Sequence, residues 1–148
     1  LEWLDAHPPG GLEVLDYGCG SGILAVAALL LGAKHAWGVD NDPQALIATR
    51  DNARKNNVSE ALSVASPESF QAGPFDLILA NILAGPLIEL APRLTSLARP
   101  GARIVLSGIL EPQAAQVAST YAQHFAMEPP VVRDGWARLE GFRKSATV

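Results

Sequence analysis

Short apolar runs recur along the chain, and each is followed by a stretch with helical spacing. Leu12, Val14 and Leu15 make the first run; an acid, three alternate glycines and a series of helix formers over residues 23–31 follow, stopped by Gly32. Ser21 is placed to cap that helix. Residues 34–40 read as a second strand that ends in an acid, and Pro43 opens a helix. In that helix Ala45, Leu46, Ala48 and Thr49 face inward, Arg50, Asp51, Arg54 and Lys55 face outward, and Asn56-Asn57 end it. Residues 61–65 make a third strand, 66–74 a polar loop, and 75–80 a fourth strand apolar enough for burial on both faces. Helical spacing returns over 83–97, with Pro86 in the first turn and Pro92 marking a kink or break. Arg99-Pro100-Gly101 turns the chain into a fifth strand, 102–107, and a helix is predicted over 111–125. The tail, 130–143, reads as two strands joined at Asp134-Gly135, a good hairpin signal. Ahead of all this, residues 1–6 look like the end of a helix stopped by His7-Pro8-Pro9-Gly10-Gly11.

Strand–helix alternation closed by a hairpin predicts an α/β, doubly wound, Rossmann-like fold. The expected sheet is mostly parallel and seven-stranded, with an antiparallel C-terminal hairpin at one edge. At 148 residues the chain is one domain, and 49% hydrophobic against 18% charged residues suits a sheet covered on both faces. A net charge of −4 argues against nucleic acid held on a broad basic surface. The longest apolar run, residues 23–31, is nine residues, too short to span a bilayer, and no signal peptide precedes it. A single cysteine excludes an internal disulfide and suits a reducing, cytoplasmic setting. The chain starts at Leu1 rather than Met, so the numbering is expected to begin inside a longer protein.

The chemistry concentrates in the first strand–helix turn. Glycines let a ligand approach the backbone, and a helix N-terminus adds free N–H groups and partial positive charge. A small polar ligand is therefore expected there. A dinucleotide fingerprint counted from Gly18 needs glycine or alanine where Ile23 stands, so that spacing fails. The pattern is instead Asp16-x-Gly18-x-Gly20-x-Gly22. Asp40 follows 18 residues after Gly22, near the ~20 expected of a carboxylate that binds ribose hydroxyls. The competing role, a helix cap before Pro43, suits Asp42 better. Asn81 ends the fourth strand and is either a ligand-facing residue or a cap for the next helix; spacing alone does not choose. Strand-end placement brings Asp16, Asp40 and Asn81 to one crevice. Cys19 has no histidine beside it in sequence and reads as a small residue filling the turn. His7, His35 and His124 form no spaced cluster, so no metal is expected. Trp37 and Trp136 read as packing residues rather than substrate clamps.

The glycine pattern resembles motif I of the class I methyltransferases, which bind S-adenosylmethionine. More specific stretches resemble the bacterial PrmA family, methyltransferases of a large-subunit ribosomal protein. They are residues 16–25 (Asp-Tyr-Gly-Cys-Gly-Ser-Gly-Ile-Leu-Ala), 40–45 (Asp-Asn-Asp-Pro-Gln-Ala), Asn81-Ile82-Leu83-Ala84-Gly85-Pro86-Leu87 and Ser107-Gly108-Ile109-Leu110. The third departs from the Asn/Asp-Pro-Pro-aromatic motif of many amino-methylating enzymes in having Ile82 and Leu83 for the prolines. The resemblance covers nearly the whole chain. It implies S-adenosylmethionine as cofactor, with Asp16 positioning its ammonium, Gly18, Gly20 and Gly22 under its methionine half, Asp40 at its ribose hydroxyls and Asn41 also among the cofactor-binding residues. Asn81 is implied at the cofactor and, as the catalytic residue, at the incoming lysine or N-terminal amine. It further implies that residues 1–148 are a methyltransferase domain from the C-terminal part of a longer protein. The N-terminal domain that grips the ribosomal protein, and a Gly-Thr-Gly-x-His segment that helps close the site, would lie upstream. The alternatives are a methyltransferase for another nitrogen and a cofactor-binding module without catalysis.

Overall fold

The computed structural model describes residues 1–145. The five apolar runs become parallel strands: β1 (Glu13–Tyr17), β2 (His35–Val39), β3 (Leu62–Ala65), β4 (Phe75–Asn81) and β5 (Ala98–Leu110). Three strands complete the sheet: β6 (Phe125–Met127), β7 (Val131–Arg133) and β8 (Trp136–Arg143). The order is β3-β2-β1-β4-β5-β8-β6, with β7 also on β8, and all pairings of β8 are antiparallel. The chain works outward from β1 to β3 and then returns to β4 on the other side of β1. The crevice at that reversal, beyond the carboxyl ends of β1 and β4, is where such sheets hold ligands.

Side chains alternate across the strands, so β1, β2, β4 and β5 each feed two cores. Val14, Leu77, Leu79 and Val105 pack with Trp3 and Leu4 of α1 (Glu2–Ala6) and Ala25, Ala28 and Leu29 of α2 (Ile23–Leu30). Leu15, Ile78, Ile104 and Leu106 pack with Leu87 and Leu94 of α4 (Ala84–Leu97) and Val117 and Tyr121 of α5 (Ala114–Tyr121). Helix α3 (Pro43–Lys55) buries Thr49 and Ala53 beside α2. Each fully buried Leu or Ile in these layers contributes about 1.5–3 kcal/mol, which makes the sheet a stiff base for the loops at its edge. No helix among the described residues is long and apolar enough to cross a membrane.

Four expectations are corrected. The sheet has eight strands rather than seven, because the helix expected over 111–125 stops at Tyr121 and Phe125–Met127 pairs with the end of β8. Phe125 is buried in either reading, so its apolar character did not distinguish helix from strand; the unpaired edge of β8 decided. Helix α4 runs unbroken across Pro92, held by its buried face of Leu87, Ala91 and Leu94. Arg99-Pro100-Gly101 is a bulge inside β5, where Phe75 pairs with Ala98 but Leu77 with Arg103. Ser21 does not cap α2: Gly22 occupies the cap position in left-handed conformation, with no side-chain bond. Asp16 does that work from β1, its Oδ2 accepting the Ala25 N–H at 3.2 Å. The Asp134-Gly135 hairpin is present, both residues having positive φ (53° and 82°) as a two-residue turn requires.

Candidate active site

The turn from β1 into α2 is built on positive φ at Gly18, Gly20 and Gly22 (77°, 55° and 80°). The Gly18 and Cys19 N–H groups both donate to Val39 O, at 2.7 and 3.0 Å, which ties the turn to the end of β2. Helix α3 supports it from below: Thr49 Oγ1 donates to Gly20 O at 3.0 Å and Asn52 Nδ2 to Ser21 O at 2.8 Å. A Cβ at Gly22 would stand 2.6 Å from Thr49 Cγ2, so α3 reaches the turn only because no side chain intervenes. A Cβ at Gly20 would meet nothing within 4 Å, so that face of the backbone is open to a ligand. Thr49 and Asn52 are functional supports that sequence reasoning missed. They lie 29 and 31 residues from their partners, and no local pattern marks them.

Both acids converge on this turn. Asp40 accepts the Gly20 N–H through Oδ2 at 2.9 Å and the Asp42 N–H through Oδ1 at 3.0 Å. Asp42 is the cap of α3, accepting from Gln44 N at 2.9 Å, so Asp40 is free of that duty. Asp16 is 2% exposed beneath the turn. Burial pushes its carboxyl up to about 7, against the Ala25 N–H that favours the charged form and with the Asp40 charge that opposes it. Cys19 is buried too, and burial pushes its thiol up to about 11 despite the Thr49 hydroxyl 3.5 Å away. At neutral pH it is a protonated space-filler against Gly38, as the sequence suggested, and no nucleophile.

Asn81 lies next door. A cavity of about 380 Å³ is lined by Gly18, Asp40, Asn41, Ile82 and Leu83. A larger cleft of about 800 Å³ shares Ile82 and Leu83 and continues over Asn81, Ser107 and Gly108 to a wall of Val131, Val132 and Trp136. The structure therefore puts Asp16 and Asp40 at the turn and Asn81 in the adjoining cleft, with Ile82 and Leu83 between. The cap of α4 is Leu83, without a side-chain bond, so Asn81 is not spent on that helix. Asn81 pairs with Ser107 in the β4–β5 register. On the far side of β5 the register slips, Leu106 facing Leu139 but Ile109 facing Ala137. Gly108 occupies this bulge with φ 82°, and a Cβ there would stand 2.9 Å from Asn81 Oδ1. Bulge and carboxamide thus fit against each other. Trp37 packs edge-on to Phe70 at 5.3 Å as expected, but Trp136 is 51% exposed in the cleft wall. Among the described residues no cluster of His, Cys, Asp or Glu is grouped to hold a metal.

The family model described as "Ribosomal protein L11 methyltransferase (PrmA)" matches residues 1–144. A curated ribosomal protein L11 methyltransferase from Methylococcus capsulatus is 60% identical over 146 residues, 98% of this chain and 50% of its own length. The chain spans about half the length of the curated relatives it matches. The crystal structure of a ribosomal protein L11 methylase from Lactobacillus delbrueckii subsp. bulgaricus superposes with a TM-score of 0.87 at 32% identity, covering 96% of this chain and 75% of that one. An RNA methyltransferase from Salinibacter ruber, crystallised with S-adenosyl-L-homocysteine, shares the fold at 16% identity, with a TM-score of 0.78 over 99% of this chain and 91% of that one.

Proposed function

The chain belongs to the ribosomal protein L11 methyltransferase family, and from that premise we propose that it is the catalytic part of an S-adenosylmethionine-dependent N-methyltransferase. Its acceptors are lysine side-chain and/or N-terminal amines of a large-subunit ribosomal protein in the bacterial cytoplasm. The observation that carries the reading is the junction of an open glycine face and two carboxylates with a separate, apolar-walled cleft floored by a carboxamide.

The residues present fit the cofactor. Gly20 leaves open space above its backbone, Asp40 stands beside it and Asp16 below it. Asp40 and Asn41 would hold the ribose end, and Asp16 the ammonium of the methionine half, along Gly18, Gly20 and Gly22. S-Adenosylmethionine, when bound, supplies an electrophilic methyl group on a sulfonium.

The acceptor needs no protein nucleophile, but it must arrive as a neutral amine. A lysine ammonium starts near ~10.4 and an α-amine near ~8, so desolvation has to favour the uncharged form. Leu83, Val131, Val132 and Trp136 give the cleft an exposed apolar wall, which would exclude water once an acceptor segment covers it. Asn81 accepts a hydrogen bond from the amine without adding a charge that would keep the proton on it. Glu2, the acid on the rim, is already ion-paired to Arg133 at 2.7 Å.

The test separates the two halves of the site in a chain extended upstream to the relatives' length. Asp40→Ala should weaken S-adenosylmethionine binding at least about tenfold, as loss of charge-assisted bonds worth ~1.5–3 kcal/mol implies. Asn81→Ala should lower kcat for the ribosomal protein by more than it raises the cofactor Kd. If Asp40→Ala leaves affinity unchanged, or Asn81→Ala moves both constants equally, the assignment of roles fails.

A further inference from the structure

Arg138 lies on β8 with its side chain on the α1 side of the sheet, and its Nε is buried without a hydrogen-bond partner among the described residues. Its neighbours are engaged elsewhere. Glu2, which lines the same cavity, is bound by Arg133, and Glu140, two residues on, accepts the Trp3 indole N–H at 3.1 Å. Arg103, another guanidinium on this face, is stacked over the Trp3 and Phe142 rings at 5.4 and 4.6 Å. A buried guanidinium Nε–H without an acceptor is costly, and the planar fork to which it belongs is best matched by a carboxylate.

The place of Arg138 indicates which carboxylate. It lines a cavity of about 240 Å³ together with Leu24 in the first turn of α2, Ala80 just before Asn81, and Ser107. It also lines the large cleft over Asn81. A cofactor with its ribose at Asp40 and its methyl at Asn81 has one anionic group, the carboxylate of the methionyl tail. The acceptor amine of a lysine side chain brings no anion of its own.

We propose that Arg138 is the counter-ion of the cofactor's methionyl carboxylate, reached through the cavity between α2 and the end of β4. The proposal rests on the cofactor reading above and adds to it a residue on the antiparallel side of the sheet, 98 positions from Asp40. Arg138 is a binding residue in this role; it does not touch the amine.

The experiment uses the 148-residue chain and calorimetry with two probes that differ only in the carboxylate: S-adenosylmethionine and its decarboxylated form. The unaltered chain should bind the decarboxylated form at least about tenfold more weakly, and Arg138→Gln should lose about the same factor for S-adenosylmethionine. Binding of the decarboxylated form by Arg138→Gln should stay within about twofold of the unaltered chain, and Arg138→Lys should fall between. The ligand-free Tm of Arg138→Gln should be unchanged or higher, because an uncompensated buried group has been removed. Equal losses for both probes, no loss for either, or a lowered ligand-free Tm accompanied by loss of both would overturn the proposal. An unaltered chain that binds neither probe overturns the cofactor reading along with it, which distinguishes the two failures.

Discussion

Asp16 is the residue whose environment most changes its chemistry. Its carboxyl titrates at about 7 in the free protein, raised mainly by burial, whereas an unfolded chain releases that proton near ~3.9. Between these values the folded state holds a proton that the unfolded state has lost. Stability from this group is therefore complete below about 4, declines as pH rises to about 7, and is flat above. The decline is of order a few kcal/mol. Asp16→Asn keeps an oxygen for the Ala25 N–H and removes the titration, so urea melts should show it more stable than the parent at pH 8 and with a flatter pH profile. Cofactor affinity of the parent should rise with pH up to about 7, because a ligand ammonium selects the carboxylate, and the variant should lose that rise. Parallel stability profiles for the two proteins would show that Asp16 is not the titrating group.

At the scale of one element, the glycine turn divides its positions between fold and ligand. Gly22 is closed from below by Thr49, with a prospective Cβ–Oγ1 distance of 2.8 Å, while Gly20 opens on empty space. Both have positive φ, so alanine at either costs about 1–2 kcal/mol in backbone strain. Gly22→Ala adds a clash with α3 and should lower the denaturant midpoint distinctly more than Gly20→Ala. Gly20→Ala should do the opposite in calorimetry, reducing cofactor affinity while the fold survives, since its methyl would enter the open space assigned above to the proposed cofactor. Equal effects on stability and affinity at the two positions would contradict this division.

At the scale of the whole molecule, the sheet and its reversal point are complete among the described residues, so this chain should fold and bind cofactor. Recognition of a protein acceptor is a different demand. A specific protein interface buries roughly 800 Å² per partner, and the chain spans about half the length of its curated relatives. We assign that recognition, as part of the proposed function, to residues outside these 148. Methylation of the purified ribosomal protein should then be at least about tenfold slower with this chain than with an upstream-extended one, because the amine arrives unpositioned. Equal turnover would place recognition within the chain itself.

The apolar runs were enough to place five strands, the two-sided burial of β4 and the Asp134-Gly135 hairpin, because each depends on side-chain pattern or turn chemistry within a few residues, and the helices between the runs made those strands parallel. The glycine turn and Asp40 were legible for the same reason: a strand end, a short spacing and a helix start define them locally. Tertiary structure alone decided the rest. It drew Phe125–Met127 into the sheet because β8 offered an unpaired backbone edge. It also set Thr49 and Asn52 beneath the turn, fitted the Gly108 bulge against Asn81, and left the Arg138 Nε beside α2 without a partner among the described residues. The supports beneath the turn join residues about 30 positions apart, and the β6 pairing and the bulge depend on strands meeting across the sheet. Their signal is a complementary shape or an unmet hydrogen bond, which exists only once the chain has folded.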